Sequence, residues 1–242
     1  MAYGASTRFE SASRLLGIAA IGLCALIGGC SGATYSGPGW SARVIDMETG
    51  APIEGAIVVL RWPLELYSGS FAGWLFVTEA VTDKDGIFTF PAWGPLEAPI
   101  DSGRQTRMSP NVPELSIFKS TFQVERDDCC SDTSYLNKEW GYGKGPTIRP
   151  SWAADRHFAL TRFSGSARQY ASYLEGAIPT NGPACAFVAT PRIFAAAVME
   201  DQALQRTYGI AIPHQRLAYF EQTASRDGCG RSVASVIGRY IQ

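Results

Sequence analysis

The side chains of this sequence with the most chemical potential are those of four cysteines in the body of the chain, Cys129, Cys130, Cys185 and Cys229. In an oxidising compartment an even number of cysteines indicates disulfides, and four cysteines allow three connectivities. A direct bridge between the adjacent Cys129 and Cys130 would close a strained ring, so each could pair with one of the two later cysteines. Those two bracket one helical region and could equally be joined to each other. Four cysteines could also hold zinc, but adjacent cysteines chelate one ion poorly, so we expect no metal.

A second group of side chains has binding character: Tyr135, Trp140, Tyr142 and Trp152, all within a polar, Gly-rich stretch. Aromatic faces stack on sugar rings or receive the side chains of a partner protein. The same residues could instead pin a long loop onto the body of the protein. Both interpretations remain open, and these four are the possible ligand-binding residues.

No motif has the spacing of a catalytic centre. The chain has two histidines, His157 and His214, and neither begins an H-x-x-E or H-E-x-x-H motif, which makes zinc carboxypeptidase chemistry a poor fit. Asp83-Lys84-Asp85-Gly86 lacks the further acidic ligands of a calcium loop and predicts a hairpin turn. We therefore expect no catalytic residue, no metal and no cofactor.

The first thirty residues have the pattern of an export signal. Arg8 and Arg14 precede an apolar run, at residues 15–27, which is too short to span a bilayer comfortably and fits the apolar region of a signal peptide. The run ends in Gly28-Gly29-Cys30 and resembles the lipobox of bacterial lipoproteins. That resemblance implies cleavage after residue 29 and attachment of fatty acyl chains, such as palmitate, to Cys30.

Sorting of such a lipoprotein depends on the next residue. Ser31 follows the modified cysteine, and in Gram-negative lipoproteins a residue other than Asp at that position generally goes with outer-membrane sorting. The resemblance thus implies an outer-membrane lipoprotein that faces the periplasm, with the lipid as its contact to the membrane. A plain secretory signal cut elsewhere, or a buried N-terminal helix, is the alternative.

Composition restricts the class of protein further. Hydrophobic residues make up 46% of the 242 residues and charged residues 18%, which is typical of a globular protein. The formal net charge is −1 and no basic run is present, so we expect no nucleic-acid partner.

The first half of the body predicts a β fold. A Gly- and Ser-containing tether at residues 30–39 is followed by short segments of strand-forming residues with turn signals between them. The predicted strands lie at residues 41–46, 56–62, 71–81 and 87–90. Because proline cannot donate to a sheet, we expect the second of these strands to stop at Pro63.

Several segments in this half resemble the carboxypeptidase regulatory-like domain: Val44-Ile45-Asp46, Thr49-Gly50, Pro52-Ile53, Gly55-Ala56 and Thr82-Asp83-Lys84-Asp85-Gly86-Ile87-Phe88. Residues 113–119 and 157–162 are similar to later strands of bacterial members. The resemblance implies a transthyretin-like, immunoglobulin-like β-sandwich at residues 40–164 that has no catalytic function. The chain departs from the family where bacterial members often have Gly-Tyr, because it has Ser120-Thr121-Phe122 there.

The second half, residues 165–242, predicts a helical extension. Thr190-Pro191 offers an N-cap and a first-turn proline, and Gly209 ends that helix. An apolar stripe at the C-terminus predicts a last helix, and its members are Val233, Val236, Ile237, Tyr240 and Ile241.

The expected function follows from these patterns. We expect a mainly β, lipid-anchored and non-catalytic envelope protein that binds or holds another envelope protein or a glycan. The alternative is an envelope hydrolase whose site residues are scattered along the sequence. Carboxylates such as Asp127, Asp128 and Glu139 could belong to such a site, although their spacing does not require it.

Overall fold

The computed structural model describes residues 33–101, 104–109, 113–123, 125–128, 157–178, 180 and 185–241. The strands are β1 Thr34–Gly37, β2 Trp40–Asp46, β3 Ile57–Leu66, β4 Phe71–Val81, β5 Ile87–Phe90, β6 Trp93–Glu97, β7 Ile100–Asp101, β8 Arg104–Met108, β9 Glu114–Phe118, β10 Glu125–Asp128 and β11 His157–Leu160. The α-helices are α1 Ala167–Ala177, α2 Ala186–Ala189, α3 Pro191–Tyr208, α4 Leu217–Arg226 and α5 Val233–Ile237, with 3-10 turns at Pro213–Gln215 and Gly238–Tyr240. Within these ranges, none of the helices combines the length and the apolar character that a membrane span needs.

The strands form two main sheets and the helices a third layer. The larger sheet has the strand order β10-β9-β3-β8-β7, with β4 on the other side of β3, and the smaller has the order β11-β2-β5. A separate pair, β1 and β6, is antiparallel. One core lies between the two main sheets, and a second core lies between the larger sheet and the helices. The predicted mainly β sandwich with a C-terminal helical extension is confirmed.

Strand β3 is central because both of its faces are buried. Val58 and Leu60 point into the core between the sheets, whereas Val59 points into the core beneath the helices. A strand covered on both sides needs apolar residues at successive positions, which explains the unbroken run Ile57-Val58-Val59-Leu60. This strand therefore connects the sandwich to the helical layer.

Two local predictions differ from the structure. Strand β3 does not stop at Pro63, because a shift of register between Trp62 and Pro63 places the proline where no ladder hydrogen bond from it is needed. Part of the expected tether is strand β1, since Tyr35 is buried and its hydroxyl accepts a hydrogen bond from the Met108 N–H at 3.2 Å.

The helices pack on the larger sheet and on one another. The long helix α3 buries Ile193, Ala197 and Leu204 in the second core and ends at Gly209, whose φ of 67° is the left-handed conformation that glycine favours at a helix end. A disulfide joins Cys185, directly before α2, to Cys229, after α4. The helical layer is thus held both by apolar contacts with the sheet and by a covalent link of its own.

Candidate functional site

Most of the residues singled out from the sequence lie outside the described ranges. This applies to the lipidation residue Cys30, to Cys129 and Cys130, and to the aromatic group Tyr135, Trp140, Tyr142 and Trp152. Their roles stay predictions. Of the disulfide pairings left open by the sequence, the structure contains the Cys185–Cys229 bridge, across a sequence separation of 44 residues.

The remaining candidates do not converge on a metal or catalytic centre. His157 begins strand β11, whereas His214 lies in a 3-10 turn and pairs through Nδ1 with the Glu175 carboxylate at 2.8 Å. The Asp83 carboxylate accepts the N–H groups of Asp85 and Ile87, both at 2.9 Å, and so holds a tight turn. The predicted hairpin is wrong, because this turn leads from β4 in the larger sheet to β5 in the smaller one. In the part of the chain that the structure describes, no group of three or more His, Cys, Asp or Glu side chains is arranged to hold a metal.

A different group of polar residues does come together, at the junction of the sandwich and the helices. It consists of Ser120 and Thr121, directly after β9, Tyr170 on α1 and Glu200 on α3. We refer to these four residues as the junction site. Ser120 and Thr121 are exposed, while Tyr170 and Glu200 are partly buried, so the site has an open side and a protected side.

The backbone of the junction site is strained at Thr121. The Phe122 N–H donates to the Lys119 carbonyl at 3.0 Å and closes a four-residue turn, in which Thr121 is the third residue with a φ of 68°. That position favours glycine or asparagine, and a β-branched residue there is a genuine outlier. Such strain persists only where the surrounding structure holds it, and it is concentrated at functional sites.

Neighbouring elements hold the strained turn from two sides. The Thr121 N–H donates to the Tyr170 hydroxyl oxygen at 2.9 Å, and the Thr121 carbonyl accepts the Phe163 N–H at 2.8 Å. The Phe163 ring in turn contacts the Tyr170 ring, with centroids 5.0 Å apart. The turn, the segment after β11 and helix α1 are therefore fixed against one another.

The Glu200 carboxyl is the group at the junction site that could exchange a proton. Burial raises the pKa of Glu200 above its ordinary value of 4.5, although hydrogen bonding from the hydroxyls of Ser120 and Tyr170 acts in the opposite direction. A carboxyl whose pKa is shifted towards neutrality is suited to general acid–base chemistry.

Tyr170 keeps its proton throughout the physiological range. Burial, together with the charge of Glu200, raises the pKa of Tyr170 to about 12, against the opposing effect of the Thr121 N–H and Ser120. The phenol is therefore a hydrogen-bond donor towards the Glu200 carboxylate and not a base. Ser120 interacts with both Tyr170 and Glu200, and it is exposed to solvent.

Other carboxylates in the protein have partners that explain them structurally. Glu79 accepts two backbone N–H groups at the start of α3, and Glu221 accepts those of Val233 and Ala234 at the start of α5. Asp201 accepts the Ile212 N–H at 2.6 Å. Glu200 differs from these because its interactions at the junction site are with two side-chain hydroxyls, which are groups that take part in chemistry.

Sequence reasoning missed the junction site because its members are distant in the chain. Ser120 and Glu200 are placed together by strand β9 and helix α3, and no spacing rule links a strand to a helix of another layer. The sequence offered one indirect indication, because Ser120-Thr121-Phe122 stands where the expected resemblance to the carboxypeptidase regulatory-like domain would have Gly-Tyr. That resemblance stays a prediction, and it did not point to Glu200 or Tyr170.

Part of the chain is similar, at low TM-scores, to solved structures. A 3-chlorocatechol 1,2-dioxygenase from Rhodococcus opacus 1CP is 16% identical over 56% of this chain and 62% of its own, with a TM-score of 0.28. An intradiol ring-cleavage dioxygenase from Tetranychus urticae is 13% identical over 58% of this chain and 86% of its own, with a TM-score of 0.29. The match thus spans less than two thirds of the first of these two proteins. No family model and no curated protein matches the chain.

These matches correct the expectation of a non-catalytic binding or structural module. We expected that the protein is not an enzyme, in part because of its fold. That expectation was wrong, because the similar solved structures are named as enzymes. At identities of 13% and 16% and TM-scores of 0.29 and 0.28, the likeness carries no argument about the reaction of this chain. Its chemistry has to be argued from its own residues.

Proposed function

We propose that the protein is an exported, lipid-anchored enzyme of the bacterial envelope that hydrolyses acyl esters, with Ser120 as nucleophile and Glu200 as general base. Tyr170 donates a hydrogen bond that orients the carboxylate. The anchor is Cys30, and the compartment is the periplasmic face of the outer membrane. The observation that carries the proposed activity is the grouping of an exposed serine, a partly buried carboxyl and a protonated phenol beside a strained turn.

Two independent features support the proposed location of the protein in the cell envelope. The lipobox-like segment ends at Cys30, and the helical layer contains the Cys185–Cys229 disulfide. Structural disulfides persist in exported proteins and are rare in a reducing cytosol. A protein with both features is well suited to an oxidising envelope compartment.

The reaction needs only groups at the junction site and water. The Ser120 Oγ attacks the acyl carbonyl carbon and forms a C–O bond, while its proton passes to the Glu200 carboxylate. The tetrahedral intermediate then breaks its bond to the leaving alcohol, which receives the proton from Glu200. Water attacks the acyl-serine ester with the same exchange of a proton, which releases the carboxylic acid and restores Ser120.

Each residue type is suited to its step. A serine hydroxyl is a weak nucleophile until a neighbouring base removes its proton, and Glu200 is the carboxyl that interacts with it. The partial burial of Glu200 shifts its pKa towards the range in which a base both accepts and returns a proton efficiently. Tyr170 remains neutral and so does not compete for that proton.

A fluorophosphonate probe tests the nucleophile directly, because it forms a covalent adduct with an activated serine. We expect the full-length lipidated protein, purified in detergent, to be labelled at Ser120, with the adduct located by peptide mass spectrometry. Hydrolysis of p-nitrophenyl acyl esters should accompany the labelling. Ser120→Ala should abolish both, and Glu200→Gln should lower both by about 10²-fold or more.

A matched control separates activation from exposure. Ser225 is also exposed, at the end of helix α4, and Ser225→Ala should leave labelling and hydrolysis unchanged. If Ser120 is not labelled and no ester is hydrolysed while Ser120→Ala lowers only the thermal stability, the junction site serves to dock the helices and the proposed activity is wrong. The mass of the mature N-terminal peptide tests the anchor separately, with acylated Cys30 as the expected result.

A further inference from the structure

The turn between β3 and β4 presents two aromatic side chains to the outside of the protein. Tyr67 is 66% exposed and Phe71 is 62% exposed. The turn itself is closed by the Leu66 N–H, which donates to the Ser70 carbonyl at 2.8 Å. Two large aromatic residues at one exposed turn lose the benefit of burial in the isolated protein, which points to a contact with something else.

The surroundings of these rings resemble those of side chains at a membrane surface. The Arg107 guanidinium lies over the Tyr67 ring, 5.3 Å from its centroid, and forms an ion pair with Glu65 at 2.8 Å. The Phe71 ring packs edge-on against Trp74, with centroids 5.2 Å apart. An acidic side chain that is already neutralised, together with aromatic residues and a long cationic side chain, suits the headgroup region of a bilayer.

The N-terminal end of the body lies at this same end of the sandwich. The Ala98 N–H donates to the Ala33 carbonyl at 2.8 Å, and the next residue, Pro99, accepts a hydrogen bond from the Thr106 hydroxyl. Thr106 is paired directly with Leu66, the residue before Tyr67. These three contacts therefore lead from the point where the chain enters the body to the aromatic turn.

The distance from that point to the lipidated residue is short. Residues 31 and 32 separate Cys30 from Ala33, and a fully extended chain covers at most about 3.6 Å per residue. The stretch of chain between the acylated cysteine and the body is therefore at most about 11 Å long. A tether this short keeps the end of the body that contains Ala33 near the lipid.

We propose that Tyr67 and Phe71 insert into the headgroup region of the bilayer and form a second, non-covalent membrane contact beside the lipid anchor. This inference rests on the anchoring at Cys30 that is part of the proposed function. The contact fixes the orientation of the body, because two attachment points restrict rotation that a single tether permits. The partner that this exposed turn contacts is the phospholipid surface of the membrane.

The orientation has a consequence for the junction site. Strand β3 runs from Ile57, which pairs with Phe118 two residues before Ser120, to Leu66 at the aromatic turn. Ten residues of strand span about 33 Å. The junction site is therefore held at the end of the sandwich away from the membrane, where a substrate in the periplasm reaches it.

Photocrosslinking of the full-length protein in intact cells tests the membrane contact. The photoreactive residue p-benzoylphenylalanine would replace Tyr67 or Phe71 and, as a matched control, Met47. Met47 is 65% exposed but follows β2 at the opposite end of the sandwich. We expect phospholipid adducts at positions 67 and 71, detected by mass spectrometry, at about tenfold the yield at position 47, because only groups within the headgroup region reach acyl chains.

The outcomes separate this inference from the anchor itself. If Cys30 is acylated but positions 67 and 71 give no more lipid adduct than position 47, the membrane contact is wrong and the anchor stands. Crosslinks to one defined protein at positions 67 and 71 would also overturn it, because they would show a protein partner at this face. If the mature protein has no acyl chain on Cys30, the proposed anchor has failed, whatever the crosslinks show.

Discussion

The Glu79 carboxylate, on strand β4, accepts the backbone N–H of Arg192 at 2.8 Å, although the two residues are separated by 113 positions. Its other oxygen accepts the Ile193 N–H at 3.1 Å. The first N–H groups of a helix lack partners within the helix, and a carboxylate there also interacts favourably with the helix dipole. The sandwich thus supplies the cap of the longest helix in the helical layer, which couples the folding of the two.

We predict that Glu79→Ala lowers the free energy of unfolding by about 0.5–2 kcal/mol, because it removes the acceptor of the Arg192 and Ile193 N–H groups in the first turn of α3. Glu79→Gln should cost less, since burial raises the pKa of Glu79 and the folded protein already disfavours its charge. Urea unfolding measures both variants. Glu54→Gln, at an exposed glutamate, is the control and should be neutral; equal losses for Ala and Gln at position 79 would contradict the explanation.

Helix α3 shows which part of the fold the sequence could indicate. Its proline at the first position and its end at Gly209 follow from local preferences, and both were predicted correctly. Its cap was not. Thr190 was expected to cap the helix, but its hydroxyl donates to the Ala186 carbonyl at 3.0 Å, and the cap comes from Glu79. A distant residue can replace a local one whenever tertiary packing brings it closer, and single-sequence reasoning has no access to that contact.

Asp46 should make the free energy of unfolding depend on pH in the acidic range. Burial acts to raise its pKa, but the N–H groups of Glu48 and Thr49 and the Arg162 guanidinium outweigh burial and hold the pKa of Asp46 below its ordinary 3.8. A group with a lowered folded pKa stabilises the protein above its unfolded pKa, and that contribution disappears as the pH falls through the folded value.

The corresponding experiment compares urea midpoints of the wild type and Asp46→Asn. The wild type should have the higher midpoint, by a constant difference, at every pH above about 5, and the difference should shrink as the pH falls below the unfolded pKa. Asp85→Asn, which removes a carboxylate from an exposed turn, is the control variant. A difference that grows on acidification would show that the lowered pKa is not the cause.

The disulfide should stabilise the helical layer substantially. Cys185 and Cys229 enclose a loop with a sequence separation of 44, and closing such a loop in the unfolded chain corresponds to about 4 kcal/mol in the chain-entropy view. The double variant Cys185→Ser, Cys229→Ser should therefore unfold at a clearly lower urea concentration. Adding a reductant should lower the midpoint of the wild type and leave that of the variant unchanged; an unchanged wild type would show that the bridge is not formed in the native protein.

The junction site shows what the sequence could not indicate. The strand that leads to Ser120 and the helix that carries Glu200 were both predicted in type, from residues 113–119 and from the segment after Thr190. Their meeting depends on the helices packing on the outer face of the larger sheet, which is a property of the whole fold. The apolar residues on both faces of β3 indicated that both faces are covered. They do not specify which polar residues the packing of the helices brings together.

Strain at Thr121 leads to opposite expectations for stability and activity. Glycine adopts a φ of 68° without steric cost, so Thr121→Gly should raise the free energy of unfolding by up to about 1 kcal/mol. Thr121→Ala retains a Cβ and should not. If the strained turn positions Ser120, Thr121→Gly should also reduce fluorophosphonate labelling. A stabilised variant with unchanged labelling would show that the strain has no part in the chemistry.

Tyr170→Phe removes a hydroxyl that interacts with both the Thr121 N–H and the Glu200 carboxylate. The loss of the first interaction is measured by stability and the loss of the second by the pH dependence of labelling. The Thr121 N–H loses its acceptor, which should lower the free energy of unfolding by about 0.5–1.5 kcal/mol. The Glu200 carboxylate loses a donor that lowers its pKa, so that pKa rises further. Because the base must be ionised to accept the serine proton, the increase in labelling rate with pH should move to higher pH in Tyr170→Phe. A role confined to packing would reduce stability and leave the pH profile where it is in the wild type, so the position of that profile decides between the two.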